Sequence, residues 1–331
     1  MAELYQTAKI DGQHELPFGD RRGRLGSVTE APLSNAGQPE IIVPADVFQT
    51  AVQSIGSFFE PISKIDRITS TRDFLDLSKA FKRAAILERY TLLKGAKVLE
   101  VGSGFGTNLA VWLRHFQVDG YGVEPGGEGF NQAYQASRRL LAANAMDAER
   151  VINSKGESLP FPDNSFDIVY SANVLEHTED PERVLMEAIR VLRPGGLLHM
   201  EMPNYLSYFE GHYMVFQPPI LWKPMLGSWV RLVFGRDPAF AATLHTRINP
   251  IWCRRMIAMA GKTYPLELIS VGEDLFCDRL AQPFIFETQG VASRIGKAVG
   301  LFFKLNVGNW MGRLIVLLQG HYPIYLTVRK G

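Results

Sequence analysis

The stretch Lys97-Val-Leu-Glu-Val-Gly-Ser-Gly-Phe-Gly-Thr-Asn108 decides the fold. Its first half, Val98 to Val101, is β-branched and apolar over the length of a buried parallel strand. Gly102, Gly104 and Gly106 follow at alternate positions, and an apolar helical pattern then runs from Leu109 to Phe116. A strand that turns through glycines into a helix is a ligand-binding corner. Glycine permits positive φ and leaves no side chain between the main chain and a ligand. The helix N-terminus behind it offers unpaired N–H groups and the positive end of the helix dipole.

Outward from this corner, strand and helix alternate. Strand patterns fall at 97–102, 120–124, 151–153, 166–171 and 197–202, with helical patterns at 109–116, 130–144 and 181–192 between them. The alternation predicts an α/β fold, a parallel sheet with helices on both faces. Right-handed crossovers put the strand C-termini along one edge, where a ligand belongs. The rhythm stops at Pro203. Residues 204–248 form an aromatic, proline-rich insertion that leaves from the ligand edge. Asn249-Pro250 suits a helix start and Gly261 its end, Leu266–Val271 reads as a strand, and Pro323–Arg329 closes the chain as another. Before the corner, residues 1–43 read as a mobile arm. Residues 44–93 carry two helical stripes, placed either to cap the site or to cover a sheet edge.

The chain has 331 residues, a formal net charge of +1 and 46% hydrophobic residues, so a packed core is expected and a nucleic-acid partner is not. Cys253 and Cys277 make neither a disulfide framework nor a metal spacing; both read as buried reduced thiols, and no metal site is expected. The N-terminus lacks an apolar signal region, and no run of eighteen apolar residues exists. A cytoplasmic protein is the default.

A dinucleotide site wants G-x-G-x-x-G, but here the third glycine falls one position early. The pattern is E-x-G-x-G-x-G, with Glu100 inside the strand. Glu124 ends the next strand, 18 residues past Gly106, where a carboxylate accepts both hydroxyls of a ribose.

With these blocks come Leu159-Pro-Phe-Pro-Asp-Asn-Ser-Phe-Asp-Ile-Val169, Leu175-Glu-His-Thr-Glu-Asp-Pro181 and Val191-Leu-Arg-Pro-Gly-Gly196. Together they make residues 97–202 resemble a class I S-adenosylmethionine-dependent methyltransferase of the type 11 group, which includes ubiquinone and menaquinone methyltransferases. The resemblance implies a Rossmann-like, seven-stranded, mostly parallel sheet whose last strand is antiparallel, with the methyltransferase domain at 94–331. It also implies S-adenosylmethionine as cofactor. By the same resemblance Glu100 and the backbone of Gly102, Ser103 and Gly104 hold the methionine end, and Glu124 holds the ribose. The segment 155–158 lies along the adenine, and 171–173 completes the pocket. The implied cofactor set is Glu100, Gly102, Ser103, Gly104, Gly106, Asn108, Glu124, Pro125, Gly156, Glu157, Ser171 and Asn173. Where the family carries an acid for the adenine amino group, this chain has Lys155, which cannot accept a hydrogen bond. Glu157, two residues on, and backbone groups of the segment are the two candidate substitutes.

On the acceptor side a hydroxyl nucleophile needs its proton removed, and histidine is the usual base. His212, with Glu210 close enough in sequence to orient it, and His177 of the Leu-Glu-His block are the catalytic candidates. From Gly290 the tail has six Lys or Arg and no Asp or Glu, interleaved with aromatics. The segment 291–320 suits peripheral contact with an anionic membrane surface, or packing on the sheet or against a second copy in a homodimer. The expected activity is methyl transfer to a small-molecule or lipid-linked acceptor. Oxygen is the first choice of atom, as in a glycan-precursor sugar or a quinone-like ring. An NAD(P)-dependent oxidoreductase, a non-catalytic S-adenosylmethionine-binding protein and an aminopropyltransferase are the alternatives.

Overall fold

The protein is described here as a computed structural model covering residues 18–19, 25–26, 40–127, 131–220, 222–281 and 307–331. Most of the predicted arm at 1–43, and 291–306 of the predicted basic segment, lie outside these residues. The chain divides into two units. Residues 1–40 contain a two-residue antiparallel ladder, Phe18–Gly19 with Leu25–Gly26. Residues 41–331 form the second unit.

Seven strands make one sheet: β1 (Lys97–Val101), β2 (Asp119–Glu124), β3 (Val151–Asn153), β4 (Phe166–Ala172), β5 (Leu192–Met202), β6 (Leu266–Ser270) and β7 (Ile324–Lys330). Their order across the sheet is β6-β7-β5-β4-β1-β2-β3. β1 to β5 are mutually parallel, and β7 runs antiparallel to both neighbours. This is the seven-stranded, mostly parallel arrangement expected. Chain order reverses between β1 and β4, so the crevice of the sheet lies at their C-terminal ends. Val98, Leu99, Val101, Ile168, Val169, Leu197 and Leu198 are fully buried, as parallel strands covered on both faces must be.

Four N-terminal helices precede the sheet: α1 (Ala45–Ala51), α2 (Ser57–Ser63), α3 (Arg67–Phe74) and α4 (Leu77–Leu87). Asp66 and Asp76 cap α3 and α4 by accepting from the N–H groups of Ile68, Thr69 and Ser78. The crossovers are α5 (Thr107–His115), α6 (Asn131–Ala143) and α7 (Pro181–Val191). Asp180 caps α7 and Pro181 occupies its first turn. The insertion holds a two-residue ladder, Phe209–Glu210 with Val215–Phe216, and α8 (Lys223–Phe234). α9 (Pro250–Ala260), capped by Asn249, follows, with α10 (Glu273–Ala281) and α11 (Val307–Leu317) after it.

Two differences from expectation have local causes. β5 begins at Leu192, five residues early, because register jumps from the pair Phe166–Leu192 to Ile168–Leu197. The Arg193-Pro-Gly-Gly196 turn is therefore a bulge within a strand, with Gly195 at φ 79°. Cys277 is exposed on α10 rather than buried; Cys253 is buried on α9, and both are free. No helix among the described residues is long and apolar enough to cross a membrane.

Candidate active site

The corner is built by three positive-φ glycines, Gly102 (74°), Gly104 (53°) and Gly106 (76°). Gly102 and Ser103 both donate their N–H to Val123 O, which ties the corner to β2. A Cβ on Gly102 would overlap the Val174 side chain, and one on Gly106 would press on Ser137 at 3.0 Å. A Cβ on Gly104 would meet only the ring of Phe74, at 3.9 Å. The backbone at Gly104 is thus a bare surface roofed by the end of α3. Phe74 also packs edge-on against Phe105, with ring centroids 5.9 Å apart. No side chain caps α5, whose first N–H groups face this corner.

Glu124, nearly buried at the end of β2, accepts from the Gly104 N–H at 2.8 Å. Burial pushes its carboxyl up to about 7, against the pull of that hydrogen bond. Glu100 is also raised to about 7 by burial, although Asn108 and Arg83 pull it down. Asn108 Nδ2 donates to Glu100 Oε1 at 2.6 Å. Arg83 of α4 reaches Asn108 Oδ1 and Glu201 Oε2, each at 3.3 Å, so the chain Glu100–Asn108–Arg83–Glu201 spans β1, α5, α4 and β5. Glu100 Oε2 and Ser103 Oγ are buried without a hydrogen-bond partner among the described residues. Native proteins rarely leave such atoms unpaired, so a polar ligand at this corner has two groups to satisfy.

The other cofactor candidates divide. Pro125 is half-buried just after Glu124, and the N–H of the next residue, Gly126, donates to Asn153 Oδ1 at 2.7 Å, a tie at the ends of β2 and β3 that sequence reading missed. Gly156 lets its loop approach β1 and α7: a Cβ there would stand 3.0 Å from Val101 and 3.1 Å from Val184. Glu157 Oε1 accepts from the backbone of Glu179 at 2.9 Å and Asp180 at 3.4 Å, so it fastens the loop before α7. Lys155 pairs with Glu179 at 2.6 Å. Ser171 is fully buried and donates to Val101 O at 2.9 Å, which makes it a bond between β4 and β1 rather than an open contact. Asn173 takes φ 54° and donates its N–H to Glu201 O, turning the chain off β4.

Next comes a single turn of tight helix, Leu175–His177, directly after Val174. Here the insertion returns to the sheet. His212 Nε2 stands 3.2 Å from His177 Nε2, and its Nδ1 lies 2.7 Å from Glu210 Oε1. Glu210 Oε2 accepts from the Tyr213 N–H at 2.6 Å, so this carboxylate is held at both oxygens. The two catalytic candidates, 35 residues apart in the chain, are brought together. Phe59 of α2 stacks on His212 at 6.2 Å between centroids, and Phe240 packs edge-on at 5.3 Å. Burial would lower the His212 imidazole, but the hydrogen bond and charge of Glu210, with Glu176, leave it raised. Burial drives His177 down to about 3, with the neighbouring histidines adding to it. Glu176, which no sequence pattern distinguishes, is fully buried, and burial raises it to about 7. His245 braces the turn: its Nε2 meets Thr178 O at 2.7 Å and its N–H donates to Glu176 O.

Residues 99–200 match the family model described as a methyltransferase domain. An uncharacterised methyltransferase of Mycobacterium sp. (strain JLS) is 39% identical over 121 residues, 36% of this chain and 44% of the relative. One from Schizosaccharomyces pombe is 36% identical over 121 residues, 34% of this chain and 42% of the relative. The chain thus spans less than half the length of the curated relatives it matches. Among solved structures, a putative sarcosine dimethylglycine methyltransferase from Galdieria sulphuraria aligns at 16% identity and a TM-score of 0.44, over 82% of this chain and 89% of that one.

Proposed function

We propose that this chain, whose residues 99–200 match a methyltransferase-domain family model, moves a methyl group from S-adenosylmethionine to a hydroxyl oxygen of a small or lipid-linked acceptor. The corner suits that cofactor. Glu124, at the end of β2, would hold the ribose, and the unpaired Glu100 Oε2 and Ser103 Oγ would hold the amino-acid end. The bare backbone at Gly104 lets the ligand lie flat against the main chain. When bound, the cofactor supplies an electrophilic methyl on a sulfonium, and the protein's task is alignment.

The observation that carries the oxygen acceptor is the Glu210–His212 contact at 2.7 Å beside His177. Val174, which packs on Gly102, is followed at once by the Leu175–His177 turn, so this cluster adjoins the corner. A hydroxyl attacks only when its proton is accepted or displaced, and the cluster is the group placed for that. Phe59 and Phe240 give the rim apolar walls. Exposed Trp222 and Leu232 at α8, with Trp310 and Leu317 on α11, support an apolar acceptor and contact with a lipid surface.

Binding of S-adenosylhomocysteine by calorimetry tests the first half of the reading, and labelled-methyl transfer to hydroxylated acceptors tests the second. Stabilisation by a nicotinamide dinucleotide but not by S-adenosylhomocysteine would overturn it.

A further inference from the structure

Glu176 is 0% exposed, and neither carboxylate oxygen has a hydrogen-bond partner among the described residues. An unpaired buried carboxylate is costly. Glu176 Oε1 points at the two histidines, 3.8 Å from His177 Nε2 and 3.9 Å from His212 Nε2, while those nitrogens face each other at 3.2 Å. A triangle with these sides has its centre about 2.1 Å from every corner, the bond length of imidazole nitrogen and carboxylate oxygen to zinc. Behind it, Glu210 takes the Nδ1–H of His212, and that contact sets the tautomer that leaves a lone pair on Nε2. A histidine backed by a carboxylate is the usual arrangement of an imidazole metal ligand.

We propose that Glu176 Oε1, His177 Nε2 and His212 Nε2 bind one divalent transition-metal ion, with Glu210 as the outer carboxylate that orients His212. Two imidazoles and one carboxylate suit zinc, iron(II) or cobalt(II), whereas magnesium and calcium take oxygen ligands. Three protein ligands leave coordination positions open, and the His177 side chain is 29% exposed, so a second molecule has access. The inference rests on the reading of this rim as the acceptor's place, and it specifies how the proton is displaced. A hydroxyl bound at an open position is acidified by the ion. Its O–H bond breaks, the proton passes to bulk water, and the oxygen keeps the electron pair that attacks the methyl carbon as the carbon–sulfur bond breaks and its pair stays on the sulfur of S-adenosylhomocysteine. The sequence hid this site because its ligands come from a turn after β4 and from the insertion, in no recognised spacing.

The test uses the full chain, stripped with chelator and titrated with cobalt(II) and then zinc(II), with neither donor nor acceptor present. The expected result is a visible absorption band that saturates at one equivalent of cobalt(II) and is erased by zinc(II). Glu176→Gln and His177→Asn, checked for folding by circular dichroism, each weaken zinc(II) binding at least tenfold, while His115→Asn does not. The absence of a one-equivalent band overturns the proposal, as does undiminished affinity in both variants. If Glu176→Gln fails to fold, the half-open His177→Asn decides alone. S-adenosylhomocysteine binding is measured separately, so loss of the metal site and loss of the methyltransferase reading give different results.

Discussion

The side chain of Val174 occupies the position that a Cβ would take on Gly102. The donor corner and the turn that carries Glu176 and His177 are thus packed directly on one another. Alanine at 102 meets two penalties: a φ of 74° costs an L-residue about 1–2 kcal/mol, and the overlap about 1–3 kcal/mol more. We expect Gly102→Ala to lower Tm by roughly 5–15 °C and to weaken S-adenosylhomocysteine binding more than tenfold. Adding Val174→Ala recovers part of the stability, because it relieves the overlap and not the strained φ. Thermal unfolding and calorimetry of the single and double variants check this; no recovery would mean that φ strain alone is at work.

Glu124 and Glu100 are both raised to about 7 by burial. For such groups the stabilising contribution is complete below the unfolded carboxyl value and is lost as pH rises through the folded one. The ligand-free chain therefore loses stability between about pH 4.5 and 7, of order 3 kcal/mol for each group. Binding runs the other way, because a ribose and an ammonium favour ionised carboxylates. Affinity for S-adenosylhomocysteine should fall up to about tenfold per pH unit below 7 for each group that must ionise. Glu124→Gln should flatten part of that profile and weaken binding at pH 8. A wild-type profile flat from pH 6 to 8 would contradict the role given to Glu124.

Phe74 is 43% exposed, yet its ring is the nearest neighbour of the open face of Gly104. A residue so exposed contributes little to folding. If the N-terminal helices only cover a sheet edge, Phe74→Ala changes nothing at the corner. We expect a Tm shift under about 3 °C with several-fold weaker S-adenosylhomocysteine binding, seen as faster dissociation in stopped-flow fluorescence. An unchanged dissociation rate would reduce α3 to a covering role.

The sheet was legible because β1 runs into Gly102 and β2 ends on Glu124, and because α7 and α9 carry Asp or Asn caps with proline in the first turn. α10 was not: Glu273-Asp-Leu-Phe-Cys-Asp-Arg-Leu-Ala281 is short and only weakly two-sided, and its place is fixed by Ser270 and Tyr90 bonding to Asp274. Ser171 was read from its position at a strand end, where period-two alternation cannot tell the ligand face from the neighbouring strand. The acceptor rim was half legible. Glu210 ends the first strand of a short ladder and His212 lies two residues on in its turn, so their pairing could be read locally. Glu176 acquires meaning only when the insertion folds back over the turn, a long-range fact that no local pattern encodes.

Glu210 offers the sharpest separation of chemistry from binding. Its carboxylate is held by the Tyr213 N–H and His212 Nδ1, both within the insertion and away from the glycine corner. Glu210→Gln keeps both contacts geometrically feasible, with an amide oxygen in place of one carboxylate oxygen and an amide nitrogen in place of the other. One of the two partners then faces a donor, and the negative charge behind His212 is gone. Outer partners of this kind are worth about 10–100-fold in activity or metal affinity. We therefore expect kcat for a hydroxyl acceptor to drop by about 10–100-fold while the Kd for S-adenosylhomocysteine stays within about twofold, equivalent to less than 0.5 kcal/mol. Steady-state kinetics with labelled donor, beside calorimetry on the same preparation, separates the two quantities. Equal losses in kcat and donor affinity would show that Glu210 merely holds the insertion in place. A drop in kcat alone places its effect on His212.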